Sequence, residues 1–331
     1  MLYFAYAFYK TSKAIKPKPD VIIASYPSPF AALAAYFLAK QYKAKFILEI
    51  RDLWPRNWIE RGAYSRYHPF IIILSMLEKY LYSRTRYFVT VLPYVSEYLS
   101  ERGIKPQKVS WIPNGIHLEE FKAAVQQAPS NEHVASILKD LREAKQRADM
   151  NVIYVGGIGV GNRVDYIVKA AHRLKERKEH HIAFFIIGEG HSKESLEKYV
   201  AVNGLDNVKI YSAIPRNDVP RVLNGSDVGI LCLNDNPIYR YGVNLHKIYD
   251  YMAAALPIVF SAKVRNNLVE SSGAGITVPP ASPEGIAAAL IKIRDMSDRE
   301  RNEMGKRGRG YLSENFDINV NLIDRYMEII Q

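Results

Sequence analysis

Cysteine is almost missing from this chain. Cys232 is the only one in 331 residues, so no disulfide can form within it, and a reducing, cytoplasmic setting is expected. It stands in the apolar run "DVGILCL", which reads as a core position rather than a nucleophile. No apolar stretch is long enough to span a bilayer; the most apolar, Phe70 to Leu77, falls far short. The N-terminal "MLYFAYAFYKTSKAIKPKPD" lacks the long apolar core and small-residue cleavage site of a signal peptide. It reads as an amphipathic helix for a protein core or a membrane interface. Metal ligation has little support: H-x-x-x-H, H-E-x-x-H and D-x-D are all missing, and "NDN" (Asn234 to Asn236) reads as a loop. The pair His180 and His181 reads as solvated, and no metal or cofactor is expected. Neither G-K-[ST] nor G-x-S-x-G occurs, which removes the P-loop and the serine elbow.

Acidic residues are the other shortage. Against 45 Lys and Arg there are 34 Asp and Glu, a net charge of +11. Residues 1–150 carry +9 of it and residues 151–331 only +2. A basic half suits an anionic partner such as a membrane surface or a phosphorylated lipid, or is simply a solvated surface. Nucleic acid is not expected, because no aromatic-interleaved basic stripe or known reading motif is present.

What the chain does have is alternation. The apolar runs "DVIIASY", "KFILEI", "YFVTVL" and "KVSWI" read as strands, with helices between them. After a charged stretch, "NVIYVGG" opens a second series: "IAFFIIGEG", "VKIYS", "DVGILCL", "PIVFS" and "AGITVP". Strands alternating with helices at this spacing imply parallel sheets covered on both faces. Two series imply two doubly wound α/β domains, with ligands at the carboxyl ends of the strands.

Two stretches in the second series suit an anion. In "NLHKIYDYM", Asn244 is placed to cap a helix, Lys247 lies near its start and Asp250 one turn on. A helix N-terminus with an added ammonium suits a phosphate, and a carboxylate beside it suits ribose hydroxyls. The plain alternative is an ordinary lysine–aspartate pair on a helix surface. In "YVGGIGVGNRVD", Gly156, Gly157, Gly159 and Gly161 let the backbone approach a ligand, with Asn162 as cap of the next helix and Arg163 at its first turn. A tight turn is the plain reading there. Two anion sites in one domain together suit a diphosphate, and "IGEG" with Gly188 adds a third glycine turn facing the same crevice.

With these residues in place, the chain resembles glycosyltransferase family 4. The resemblance rests on "DVIIASYPSPFAALAAYFLAK", "FILEIRDLWP", "VTVLPYVSEYLSERGI", "WIPNGI", "YVGGIG", "IIGEG", "VPRVLNGSDVGILCL", "YGVNLHKIYDYMAAALPIVFSA" and "AGITVPP", in order from Asp20 to the C-terminus. It is nearest to the bacterial branch that transfers amino sugars in O-antigen and capsule assembly. The resemblance implies a GT-B fold, two Rossmann-like domains facing a cleft. Residues 1–117 would form the acceptor-side domain, 118–315 the nucleotide-sugar domain, and 316–331 a C-terminal helix packing back on the first. It implies a retaining transfer, without a metal, from a UDP-sugar, of N-acetylhexosamine type, to a polyprenyl-diphosphate-linked sugar or glycan. The enzyme would be peripheral on the cytoplasmic face of the membrane.

The resemblance also implies roles. Lys247 and Arg163 would neutralise the departing diphosphate. Gly157, Asn162, Gly188 and Asn244 would border the donor, Ile214 the uracil, and Asp250 would bind ribose. Arg51 and Asp52 fall where relatives place a cleft-lining histidine–aspartate pair and are the catalytic candidates of the first domain, though from the residues alone they would simply pair with each other. Trp54 and Pro55 would border the acceptor, or Trp54 would anchor the core.

There are departures. The first carboxylate of the family's paired-glutamate motif would fall at Gly242. Ala255 and Leu256 replace the usual glycine and basic residue after "YMAA"; an alanine in a left-handed turn costs about 1 kcal/mol, so a different turn is expected. Relatives begin several tens of residues earlier, so the first domain is expected to be incomplete, with a partner chain as one source of the missing strands. Two further readings stay open: a GT-B nucleotide-sugar 2-epimerase, and a UDP-sugar-binding subunit without turnover.

Overall fold

A computed structural model describes residues 2–179 and 181–331. It contains two all-parallel sheets. The first runs β1 (Val21–Tyr26), β2 (Lys45–Ile50), β3 (Tyr87–Thr90) and β4 (Lys108–Trp111), neighbours in chain order. The second contains β5 (Met150–Val155), β6 (Ile182–Ile187), β7 (Val208–Tyr211), β8 (Val228–Cys232), β9 (Ile258–Ser261) and β10 (Gly275–Val278). Its order is β10-β9-β8-β5-β6-β7, so the winding reverses between β5 and β8. The second sheet is therefore doubly wound, while the strands of the first follow one another in one direction.

The central strands are the apolar runs of the sequence. β8 is buried throughout and β5 along all but its last residue, as strands covered on both faces must be. Between the β5–β6 layer and its helices, Val152, Ile186, Ile230, Ile286 and Leu290 share one core. Each such side chain contributes about 1.5–3 kcal/mol when fully buried. Cys232 belongs to the same core, where burial pushes its thiol well above the usual range. That fits a packing role.

The chain ends on the first domain. Leu322 and Ile329 pack with Ile47, Val89 and Ile112 beneath the first sheet, and Tyr326 donates to Glu49 at 3.0 Å. The turn "PNG" makes room for this return. Gly115 has φ +63°, and a β-carbon on it would lie 2.6 Å from the Phe316 carbonyl oxygen.

At the other end, the helix Leu2–Ser12 lies on the helix Pro29–Tyr42 through Ala5 and a hydrogen bond from Tyr42 to the Ser12 carbonyl. Leu2, Tyr3, Phe4 and Tyr6 on it are exposed. The apolar run Phe70 to Leu77 divides likewise: Ile71 and Leu74 are buried, Ile72, Ile73 and Met76 exposed. No described helix is long and apolar enough to cross a membrane. His181 is exposed; His180 lies outside the described residues.

One local expectation is corrected, and one departure gains a physical reason. Ala255 does adopt the left-handed turn, at φ +52°, rather than a different one. Gly242 has φ +97°, and a β-carbon there would lie 2.5 Å from Pro93 Cδ across the domain boundary. Close interdomain packing, in addition to the backbone angle, favours glycine at position 242.

Candidate functional site

In an open parallel sheet the crevice lies beyond the carboxyl ends of the strands, beside the point where the winding reverses. A cavity of about 420 Å³ opens there. The loops after β5, β6 and β7 supply Gly156, Gly157, Gly188, Ile214 and Arg216, and the helix His246–Ala253 supplies His246, Lys247 and Asp250. Gly157, Gly188, Ile214, Lys247 and Asp250, chosen from separate parts of the sequence, thus share one cavity.

Lys247 is the second residue of its helix, where unpaired N–H groups and the helix dipole favour an anion. Its stem crosses the β5 loop at Gly156. A β-carbon at Gly156 would lie 2.1 Å from Lys247 Cε, and φ is +148°. The ammonium reaches Asn162 Oδ1 at 3.4 Å and sits 5.4 Å from the centre of the Tyr154 ring. Desolvation pulls its pKa below the ordinary lysine value, and the negative charge of Asp250 opposes this. Gly188 lets two loops touch: a β-carbon on it would strike the Gly156 carbonyl oxygen at 1.9 Å.

Four donor-side expectations change. Arg163 does not join Lys247. Its own φ of +42° at the head of the next helix turns the guanidinium back onto Asp165, at 2.8 and 2.9 Å, and over the Tyr166 ring. Asn162 is not the cap of that helix; its side chain donates to the Gly157 carbonyl at 2.8 Å and fixes the glycine loop. Asn244 is not a cap either, because the helix begins at His246 after Leu245. It reaches the Val91 carbonyl at 3.3 Å, bridging the domains. Asp250 is buried and pairs with Arg216 rather than with Lys247.

The facing wall comes from the first domain. Arg51 and Asp52 diverge instead of pairing. Arg51 donates to Glu49 at 3.1 Å and to Asn114 Oδ1 at 2.7 Å. The Asn114 amide nitrogen lies 2.9 Å from His246 Nε2, so Arg51 and the helix that bears Lys247 are joined through one asparagine. Desolvation lowers the pKa of His246, Asp250 raises it, and Arg216, Arg51 and Lys247 lower it further. The neutral ring that results can accept from Asn114 through Nε2. A second cavity, of about 310 Å³, is lined by Asn114, Glu120, Arg216 and His246 among others, and so shares two walls with the first.

Asp52 organises its own loop, accepting from Leu53 N at 2.8 Å, Trp54 Nε1 at 3.2 Å and Asn57 Nδ2 at 2.7 Å. Trp54 is half-buried against Trp58, with ring centres 4.0 Å apart, and Pro55 is buried. Below, the Tyr26 hydroxyl donates to the Trp54 carbonyl at 3.0 Å. Tyr26 stands beside Tyr82, and Glu78 lies near both, accepting from Tyr98 at 2.5 Å and ion-paired with Arg102 at 2.9 Å. Glu78 is 1% exposed, and its pKa is pushed up to about 7: desolvation raises it, while Arg102, Tyr98 and Arg56 restrain it.

Comparison with known proteins agrees with this architecture. Residues 1–120 match the family model described as Glycosyltransferase Family 4, and residues 149–295 that described as Glycosyl transferases group 1. Together the two matches mark the chain as a glycosyltransferase, with the family 4 match over its first domain. Among curated relatives, the UDP-Gal:alpha-D-GlcNAc-diphosphoundecaprenol alpha-1,3-galactosyltransferase of Escherichia coli is 26% identical over 68% of this chain and 54% of its own length. The alpha-D-kanosaminyltransferase of Streptomyces kanamyceticus is 29% identical over 45% of this chain and 38% of its own. The chain spans between 38% and 66% of the length of the first three curated relatives it matches.

Among solved structures, sucrose-phosphate synthase from Thermosynechococcus elongatus has a TM-score of 0.74 at 19% identity, covering 98% of this chain and 76% of its own. HepE of Anabaena in complex with UDP and glucose has a TM-score of 0.72 at 12% identity, covering 99% and 80%. These likenesses are of fold, and the fold is GT-B.

Proposed function

We propose that this glycosyltransferase moves a sugar, of N-acetylhexosamine type, from a UDP-sugar to a polyprenyl-diphosphate-linked sugar or glycan acceptor, with retention of configuration. The observation that carries this reading is Lys247: a half-buried ammonium at a helix N-terminus, crossing a glycine loop into a cleft that also holds a buried carboxylate. A desolvated ammonium gains most when an anion arrives, and a diphosphate leaving group brings the charge it lacks. With the ammonium and helix N–H groups supplying positive charge, the reading calls for no metal. Ile214 would face the uracil and Asp250 the ribose. The relatives lend support: one is named for a UDP-galactose donor and a diphosphoundecaprenol-linked acceptor.

On the acceptor side, Arg51 and Asn114 face His246 across the domain boundary, and the acceptor hydroxyl would lie between the two walls. Arg51 and Asp52 are the polar groups at the end of β2, and Trp54 offers an aromatic face beside them. The exposed apolar residues of the first helix, Leu2, Tyr3, Phe4 and Tyr6, together with the basic charge of residues 1–150, fit a peripheral enzyme on an anionic leaflet.

The test is calorimetric titration of UDP into the full chain and into Lys247→Ala, with ADP and GDP as controls. UDP should bind in preference to both, and the substitution should cost a charge-assisted contact of about 1.5–3 kcal/mol. Unchanged affinity in Lys247→Ala removes the lysine from the phosphate site.

A further inference from the structure

Asp250 is only 4% exposed, yet both its oxygens are already engaged. Arg216 Nη1 donates to Oδ2 at 2.6 Å and Nη2 to Oδ1 at 2.5 Å. The two partners are held very differently. Asp250 is fixed on a helix between the buried Tyr249 and Tyr251. Arg216 stands on a short turn after Pro215, with its side chain 60% exposed, and lines both cavities. Only Arg216 can move without disturbing the core.

A guanidinium edge and a vicinal diol offer a carboxylate the same thing, two donors side by side. We propose that Arg216 is a placeholder for the ribose: its guanidinium holds the two oxygens of Asp250 that the 2′- and 3′-hydroxyls would take, and a nucleotide binds by displacing it into solvent. The proposal rests on the reading of this cleft as a nucleotide-sugar site and adds the residue that sets its apparent affinity. A buried carboxylate stripped of its cation is costly, so Arg216 leaves only when a ligand supplies replacement donors. Pyrophosphate, which has no vicinal diol, would bind at Lys247 and leave Arg216 where it is.

Displacement lowers apparent affinity by the fraction of molecules in which the carboxylate is accessible. Removing the competing guanidinium should therefore tighten nucleotide binding. UDP and inorganic pyrophosphate are titrated into the full-length wild type, Arg216→Met, Arg216→Lys and Lys247→Ala. Arg216→Met should bind UDP about three- to tenfold more tightly than wild type, with pyrophosphate affinity unchanged. Arg216→Lys keeps a cation for Asp250 but loses the fork. It should fall between the two, and it serves alone if the methionine variant does not fold. UDP binding that depends on Lys247 but is equal or weaker in both Arg216 variants overturns the placeholder alone. Pyrophosphate weakened in step with UDP overturns it as well, and makes Arg216 a phosphate ligand. No UDP binding by any folded variant overturns the nucleotide reading and the placeholder together.

Discussion

Lys247 and Gly156 fit each other as stem and groove: the lysine Cε occupies space only 2.1 Å from where a β-carbon on residue 156 would stand. The glycine is thus required twice, by its φ of +148° and by the side chain that crosses it. Gly156→Ala should lower UDP affinity by about tenfold or more, since the ammonium must shift off its line into the cleft. The variant should also lose stability. Gly161, in the same loop, meets nothing nearer than 3.6 Å, an ordinary contact with Arg61, so Gly161→Ala is the control. Equal UDP affinity in Gly156→Ala and Gly161→Ala would refute the coupling.

The Lys247 cavity was readable wherever its residues are placed by local rules. Gly157, Gly188 and Ile214 follow strand ends, and Lys247 and Asp250 share a helix face, so strand and helix periodicity alone brings them together. The reading failed where one backbone angle re-aims a side chain. Arg163 stands beside the glycine loop, but its left-handed φ directs it to Asp165, two residues on. It also failed for partners distant in sequence. Arg216 is 34 residues from Asp250, and Asn114 is 132 from His246. "PNG" showed a turn and nothing of the histidine it would meet. Arg51 and Asp52 illustrate this limit in part: Glu49 and Asn57 are near in sequence, while Asn114, which draws Arg51 away, is 63 residues off.

The buried Glu78 makes stability depend on pH. Its pKa is about 7 in the fold against an ordinary 4.5, so between these values the native state holds a proton that the unfolded chain has released. Its contribution is fully present below pH 4.5 and is lost as pH rises towards 7, on the order of 3 kcal/mol at most. Glu78→Gln keeps an acceptor for Tyr98 and removes the titration; Arg102, 30% exposed, can turn to solvent. Thermal melts of the two proteins from pH 5 to 8 should show a flatter profile for the variant. A slope identical to wild type would assign the pH dependence to other groups.

Ala255 carries backbone strain that a glycine in its place would not. It holds a left-handed φ of +52° in the turn between the helix that bears Lys247 and β9, and its carbonyl oxygen lies against Gly305 of the helix Asp298–Asn315. A β-carbon on Gly305 would come within 1.8 Å of that oxygen, so the turn cannot relax toward the helix without a clash. The left-handed conformation costs an alanine about 1–2 kcal/mol and a glycine almost nothing. The greater freedom of glycine in the unfolded chain returns part of this, about 0.4–1 kcal/mol. Ala255→Gly should therefore raise stability by a net ~0.5–1 kcal/mol, a shift of about 1–2 °C for a protein of this size. UDP affinity should not change, because residue 255 lies at the opposite end of the helix from Lys247. A variant that melts below wild type would mean that the turn is held by contacts that need the methyl group, and that the strain at this position is offset in the native packing.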